Sequence, residues 1–333
     1  VSRLNISLDV VNDLKIRERR KSELLGHCPV CGCSDANFNI SKLTWRCWHC
    51  PACGRITTED GYVAVEEQEI KLDVDAVREL YTELADEYHK DITDVAVSYL
   101  KTRGITEETI RHFKLGFCSD KYYEQYSNDL AKDCGIVNRD YPALFNRITI
   151  PYIVDDMCVD LRGRKVGSGI TYKQNTPTYI SLSGSHESRG AVFPFNYDII
   201  KNNKRIIITE GEFKAVVGHQ YGFPVIATPG IFGWQSSWKS ILKDKEIILV
   251  ADFDSVFGFN SPAYMMTNIV SKDIRNLKVG LLYLASNGNK EKIDIDSLLI
   301  DGGVKLFEKI INGPILAKDW LEQQVRMGHA RKR

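Results

Sequence analysis

The sequence predicts an α/β protein in several parts: an N-terminal cysteine ribbon, a mixed α+β subdomain, and a last α/β domain with a mainly parallel central sheet. Three observations lead there. Six of the nine cysteines, Cys28, Cys31, Cys33, Cys47, Cys50 and Cys53, fall in one short stretch. From about Tyr141 to Phe195 short apolar runs alternate with Gly, Pro and Asn, the texture of antiparallel strands. Beyond Asn203 strand-like and helix-like segments alternate, which argues for a parallel sheet.

Each element can be justified in chain order. Cys28-Pro-Val-Cys31 and Cys47-Trp-His-Cys50, fifteen residues apart, are two thiolate pairs on either side of a segment able to form a hairpin. That spacing suits one tetrahedral zinc ion in a closed, structural site with ligands Cys28, Cys31, Cys47 and Cys50. Cys33, His49 and Cys53 compete for a place in that set. Trp45, Arg46, Trp48 and Arg55, with Arg17, Arg19, Arg20 and Lys21 upstream, interleave cations and aromatics as binders of single-stranded nucleic acid do.

Residues 59–94 carry thirteen acids against Lys71, Arg78 and Lys90, so this stretch is net −10 in a chain of net charge zero. Val74, Val77, Leu80, Tyr81 and Leu84 recur at helical spacing within it, which predicts an acidic helix linking two domains. A helix from Val95 stops at Gly104, and Thr106 caps another that reaches Phe113. Further on, Arg205-Ile-Ile-Ile-Thr is a buried strand, residues 213–221 a helix, Val225-Ile-Ala a strand, Glu246-Ile-Ile-Leu-Val-Ala a strand, residues 261–274 a helix and residues 304–311 another. The tail from Ala317 ends in Arg331, Lys332 and Arg333. The expected divisions are therefore 1–58, 59–94, 95–200, 201–316 and 317–333.

With 26% charged and 43% hydrophobic residues the composition is that of an ordinary globular protein. No run approaches the roughly 18 apolar residues of a membrane span, and there is no apolar leader at the N-terminus, so the expectation is a cytoplasmic protein without a membrane partner.

The chemistry lies in five acids near the ends of apolar runs: Glu210, Asp252, Asp254, Asp294 and Asp296. Ligand sites of open α/β sheets lie just beyond the carboxyl ends of the strands, so these acids are expected to converge. Like charges in a crevice are costly unless a cation neutralises them, and oxygen ligands alone suit magnesium or manganese.

The stretch Thr209-Glu210-Gly211-Glu212-Phe213-Lys214-Ala215, followed by a strand ending in Asp252-Phe-Asp254, resembles the Toprim domain of primases, topoisomerases and some nucleases. Lys292-Ile-Asp294-Ile-Asp296-Ser-Leu-Leu is similar to the third acidic motif of DnaG-type and phage primases. Residues 97–116 and Phe145-Asn-Arg147-Ile-Thr-Ile-Pro151 resemble the start of their polymerase domain, and Thr176-Pro-Thr-Tyr179 and Arg189-Gly190 their basic groove. With the cysteine spacing, the resemblance spans nearly the whole chain in the family's order.

The resemblance implies a primase-type RNA polymerase, a nucleotidyltransferase that makes short RNA primers on single-stranded DNA during replication in a bacterial or phage-infected cell. Glu210 would serve as acid/base or metal-linked carboxylate, and Asp252, Asp254, Asp294 and Asp296 would hold divalent ions. Arg147, Arg162, Arg164, Lys173, Tyr179, Arg189 and Lys214 would meet template or ribonucleoside triphosphate, with Trp45, Arg46 and Trp48 on the ribbon. A replicative helicase in trans is the implied partner. The family often has an acid where Lys214 stands, so fewer metals or a seated phosphate are expected there. The rival readings are another Toprim enzyme, a nuclease or topoisomerase, and an inactive zinc-ribbon module that binds nucleic acid.

Overall fold

The computed structural model describes residues 4–14, 16–20, 23–34, 36–40, 42–47, 52–57, 73–119, 129–138, 141–167, 169–172, 176–182, 193–252, 261–282 and 293–330. Trp48, His49, Cys50, Lys173, Arg189 and Asp254 lie outside the described residues, as do Lys21, residues 59–72 and the terminal Arg331, Lys332 and Arg333. So do the side chains of Arg17, Arg19 and Arg20. The chain divides into two compact units, residues 1–69 and 70–333.

In the first unit β1 (Ile6–Ser7) gives way at once to α1 (Leu8–Asp13), because the Ser7 hydroxyl accepts the Val10 amide at 3.2 Å and caps the helix. There follow β2 (Ile16–Arg20), β3 (Glu23–Gly26), β4 (Ala36–Asn39), β5 (Thr44–Cys47) and β6 (Cys53–Thr57). Among the described residues they form one sheet in the order β1-β6-β5-β4-β3-β2, antiparallel except where β1 runs beside β6. Burial alternates along β5: Thr44 and Arg46 are exposed, Trp45 and Cys47 buried. Trp45 stacks on Phe38 with ring centroids 5.9 Å apart, and its indole N–H donates to the Leu4 carbonyl at 2.8 Å. At 2% exposure it is a core residue, which corrects its expected place on a template-facing surface. A unit this small has few large side chains to fill its interior, and an aromatic at an inward strand position is drawn in.

The second unit opens with α2 (Val74–Lys90), capped by Asp73, whose carboxylate accepts the amides of Asp75 at 3.0 Å and Ala76 at 3.3 Å. Val77, Leu80, Tyr81, Leu84, Ala85 and Tyr88 form one buried face. The described part of the expected linker is therefore an integral helix of this unit, its charges turned outward and its apolar stripe in the core. The next helices are α3 (Asp94–Thr102) and α4 (Glu107–His112), with Thr93 and Thr106 as their caps. After β7 (Gly116–Cys118) come α5 (Asp129–Asp133), the small ladder of β8 (Val137–Asn138) and β9 (Tyr141–Pro142), and then β10 (Arg147–Val154), β11 (Met157–Lys165) and β12 (Tyr179–Ser181). The antiparallel sheet runs β12-β11-β10-β7, with α2 packed on β7 and β11. Asp155 and Asp156, at φ +50° and +65°, form the two-residue turn between β10 and β11.

A short α6 (Ile199–Asn202) leads into β13 (Arg205–Glu210), α7 (Glu212–Gln220), β14 (Val225–Thr228), α8 (Trp238–Ile241), β15 (Glu246–Leu249), α9 (Pro262–Val270) and β16 (Lys278–Val279). The chain closes with α10 (Ile295–Ile300), α11 (Val304–Asn312), β17 (Ile315–Leu316) and α12 (Ala317–Ala330). The sheet order is β14-β13-β15-β16-β17, parallel except for β17. Both faces are covered: Ile206 and Ile208 pack with Trp234, Trp238 and Met266, whereas Ile207 packs with Phe213, Val217 and Phe307. This double burial explains why β13 reads as an unbroken apolar run. Helix α9 ends at Val270, short of the expected residue 274, where the Ser271 hydroxyl donates to the Asn268 carbonyl at 3.3 Å. Among the described residues no helix is long and apolar enough to cross a membrane.

Gly218 sits where α7 presses on β14, and a Cβ there would lie 2.5 Å from Cγ2 of Val225. Gly218→Ala is expected to destabilise the second unit by about 1–3 kcal/mol, the usual cost of overpacking, read as a lower urea midpoint with unchanged slope.

Candidate active site and cysteine cluster

Parallel pairing places the carboxyl ends of β13 and β15 side by side. Ile208 stands opposite Leu249, and the Val250 amide donates to the Ile208 carbonyl at 2.8 Å, so Glu210 and Asp252 emerge together. Between Glu210 and α7 the backbone turns at Gly211, whose φ of +86° is open to glycine and strained for other residues. The turn lets Lys214 reach back: its Nζ donates to the Glu210 carbonyl at 3.0 Å and pairs with Oδ1 of Asp252 at 2.9 Å.

The second pair of acids arrives on α10, which packs against α7. Asp294 caps α10 by accepting the Ser297 amide at 3.0 Å, and Asp296 is buried and paired with Arg103 from the end of α3. Oδ1 of Asp296 is buried and accepts no N–H or O–H from the described residues, although the Asp296 carboxyl shares a hydrogen bond with that of Asp294. Burial raises the Asp294 carboxyl, but hydrogen bonds from Asp296 and Ser297 outweigh it and hold it at about 2. Burial first, then the hydrogen bond and charge of Asp294, push Asp296 up to about 6. Burial disfavours the charge on Lys214, yet the nearby carboxylates of Asp252, Glu210 and Asp296 prevail and raise its pKa. Lys214 thus lies in the field of four carboxylates, of which Asp296 is also paired with Arg103. No three of these acids bring ligand oxygens within 4.8 Å of one another among the described residues, and the buried Oδ1 of Asp296 is the atom that fits a hard cation.

The expected basic residues are placed less uniformly. Arg147 is 4% exposed, and its guanidinium donates to the carbonyls of Pro177 (2.9 Å) and Thr178 (3.0 Å). It therefore holds backbone just before Tyr179, a correction to its expected contact with template or triphosphate. Arg162 is also turned inward, ion-paired with Glu212, and its Nε donates to the Ser181 hydroxyl at 3.0 Å. Glu212 is 0% exposed, and its Oε1 accepts the Tyr152 hydroxyl at 2.7 Å. Burial, then the Glu212 charge, keep the Tyr152 hydroxyl protonated by raising its pKa. Arg164 remains half-buried among rings, its guanidinium 4.8 Å from the Phe213 centroid, 5.0 Å from Tyr99 and 5.3 Å from Tyr179. Its Nε donates to the Tyr179 hydroxyl at 2.9 Å.

Sequence reasoning missed Glu212, Tyr152, Arg103 and Tyr99. One signal was available for Glu212: it precedes Phe213 and Val216 on the apolar side of α7, so its charge demanded a buried partner.

In the first unit one sulfur each of Cys28, Cys31 and Cys47 lies within 4.8 Å of the others. Cys31 and Cys47 are 3.8 Å apart, which matches the edge, about 3.8 Å, of a tetrahedron with zinc–sulfur bonds of about 2.3 Å. The Cys33 sulfur is 3.4 Å from that of Cys47. Tight turns present these thiols: Gly32, at φ +70°, donates to the Cys28 carbonyl at 2.9 Å, and Cys47 donates to the Ala52 carbonyl at 2.7 Å. The three thiols fit a zinc ion.

Removing one partner of the Arg162–Glu212 pair strands a buried charge. Arg162→Ala or Glu212→Ala alone is expected to cost about 3–5 kcal/mol of stability in chemical denaturation, and joint replacement by leucines far less. Equal losses in single and double variants would contradict this account.

No protein-family model matches the chain. A DNA primase of Rickettsia bellii (strain RML369-C) is 26% identical over 368 residues, covering 97% of this chain and 59% of that protein. The chain thus spans about three-fifths of the length of the curated relatives it matches first. The crystal structure of the Aquifex aeolicus primase zinc-binding and RNA polymerase domains matches at a TM-score of 0.59 and 18% identity, over 96% of this chain and 87% of the other. A DnaG primase catalytic domain bound to single-stranded DNA matches at 0.58 and 17% identity, over 75% and 82%. In sequence along nearly its whole length, and in fold, this chain resembles the DnaG-type DNA primases.

Proposed function

We propose that the chain is a DNA primase of phage type, joining ribonucleotides into short RNA primers on a single-stranded DNA template during replication. The observation that supports this reading is that Glu210, Asp252, Asp294 and Asp296, from three segments distant in sequence, all act on the ammonium of Lys214, with Arg103 paired to Asp296. Such a crevice beyond the strand ends is where an open α/β sheet binds its ligand.

Asp252, Asp294 and Asp296, with Asp254 and Glu210, are the residues that would hold magnesium or manganese, which favours ionisation of the primer's 3′ hydroxyl and neutralises the departing pyrophosphate. Glu210 at the end of β13 takes the hydroxyl proton or orients the group that does. Arg164, held rigid between Tyr99, Tyr179 and Phe213, supplies a fixed cation for a triphosphate oxygen. Arg147 acts indirectly, fixing the backbone that carries Tyr179. Lys173 and Arg189 are assigned to the template from the sequence resemblance alone.

In the first unit Cys28, Cys31, Cys47 and Cys50 hold one structural zinc. It supports β5, on which Arg46 is exposed as a template contact. Trp48 is assigned to the template from the sequence alone. Ribonucleoside triphosphates are the substrates, and a replicative helicase acts in trans. The DNA-bound state of the structural neighbour supports the template part of this reading.

Incubated with magnesium, labelled ribonucleotides and single-stranded oligonucleotides of varied sequence, the wild type is expected to make short RNA, and Glu210→Gln about 10²- to 10⁴-fold less. Equal product from the variant, or none from the wild type, would count against the polymerase. Cys47→Ser is expected to lose bound zinc, measured by atomic absorption. Retention of full zinc content would remove Cys47 from the ligand set.

A further inference from the structure

We infer that Lys214 is a built-in cation standing where a second divalent ion would otherwise sit, so that the acidic cradle takes up one divalent ion and not two. This rests on the primase reading of the same site and deepens it.

Three features carry the inference. First, the amine is fixed between the two central strand ends: Nζ touches the Glu210 carbonyl at 3.0 Å and Asp252 Oδ1 at 2.9 Å. The side chains of Lys214 and Asp252 are only 15% and 7% exposed, so this is no solvated lysine on a helix surface. A lysine this enclosed is costly unless anions surround it. Second, the approach is prepared by the backbone. Gly211 is bare on the side of the amine, and even an added Cβ would find only Nζ of Lys214 within 4.0 Å. Third, the remaining demand for positive charge lies elsewhere in the cradle. Asp296, paired with Arg103 through Oδ2 and sharing a hydrogen bond with Asp294 at the start of α10, still has a buried Oδ1 that accepts no N–H or O–H from the described residues. A divalent ion on this side would be held by oxygens of Asp294 and Asp296, beside the Arg103 guanidinium. A second one bridging Glu210 and Asp252 would have to displace the ammonium or lie against it.

The test is manganese binding to the zinc-loaded full chain, followed by equilibrium dialysis and by the electron paramagnetic resonance signal of free Mn²⁺. The wild type is expected to hold one tightly bound Mn²⁺, and Lys214→Asp two. Lys214→Met keeps the side chain's length without its charge and guards against misfolding of the aspartate variant. It is expected to bind its Mn²⁺ roughly ten-fold more tightly, since the repulsion by a fixed positive charge is gone. Two tight ions in the wild type would overturn the assignment of Lys214 and leave the polymerase reading standing. A single ion in Lys214→Asp, or unchanged affinity in Lys214→Met, would also overturn the assignment. No bound Mn²⁺ in the wild type would overturn both the assignment and the metal-dependent polymerase beneath it.

Discussion

Everything at the acidic end of the second unit depends on the register between β13 and β15. Arg205 lies opposite Glu246 and Ile208 opposite Leu249, so two apolar runs some forty residues apart in sequence finish at one level. A slip of one residue would turn Ile206 and Ile208 toward the helices that now receive Ile207, which both faces of the sheet resist through packing. Glu210 and Asp252 are neighbours because the cores beneath them admit one alignment. Gly211 then turns the chain so that α7 begins at once, and the amine of Lys214 falls between the two strand ends.

Around that alignment the structure buries charge in matched pairs. Asp252 meets Lys214, Asp296 meets Arg103, and Glu212 meets Arg162. Each pair joins segments far apart in sequence, and each would be costly to separate in a medium of low polarity. The net effect on stability is small compared with the effect on position. A buried ion pair with additional hydrogen bonds, such as Tyr152 on Glu212 or Ser181 on Arg162, tolerates little displacement. The first turn of α7, which bears both Glu212 and Lys214, is thereby tied to the antiparallel sheet on one side and to the acidic crevice on the other.

The fold was legible where local chemistry and global burial agree. Ile206, Ile207 and Ile208 announce a strand buried on both faces, and Thr106 and Ser261 announce helix starts because their hydroxyls accept amides that would otherwise lack partners. The convergence of Glu210 with Asp252 followed from strand polarity alone. What the residues could not disclose was direction. Trp45 beside Arg46 reads equally as a wall of a small core or as a platform for a base, and only strand alternation in the folded sheet separates them. Arg147 and Arg162 look like surface cations until the carbonyls of Pro177 and Thr178 and the carboxylate of Glu212 are known to face them. The acidic stretch gave its helix by the periodicity of its apolar stripe, but a net charge of −10 reads as a solvated linker until that stripe is seen seated in the core.

That same helix imposes a polarity on the second unit. Asp75, Glu79 and Glu83 stand exposed at four-residue intervals along the outer side of α2, while its other side is closed against β7 and β11. At physiological salt their field reaches about 8 Å into solvent, far enough to repel a phosphodiester chain before contact. This flank of the unit therefore disfavours contact with any polyanion.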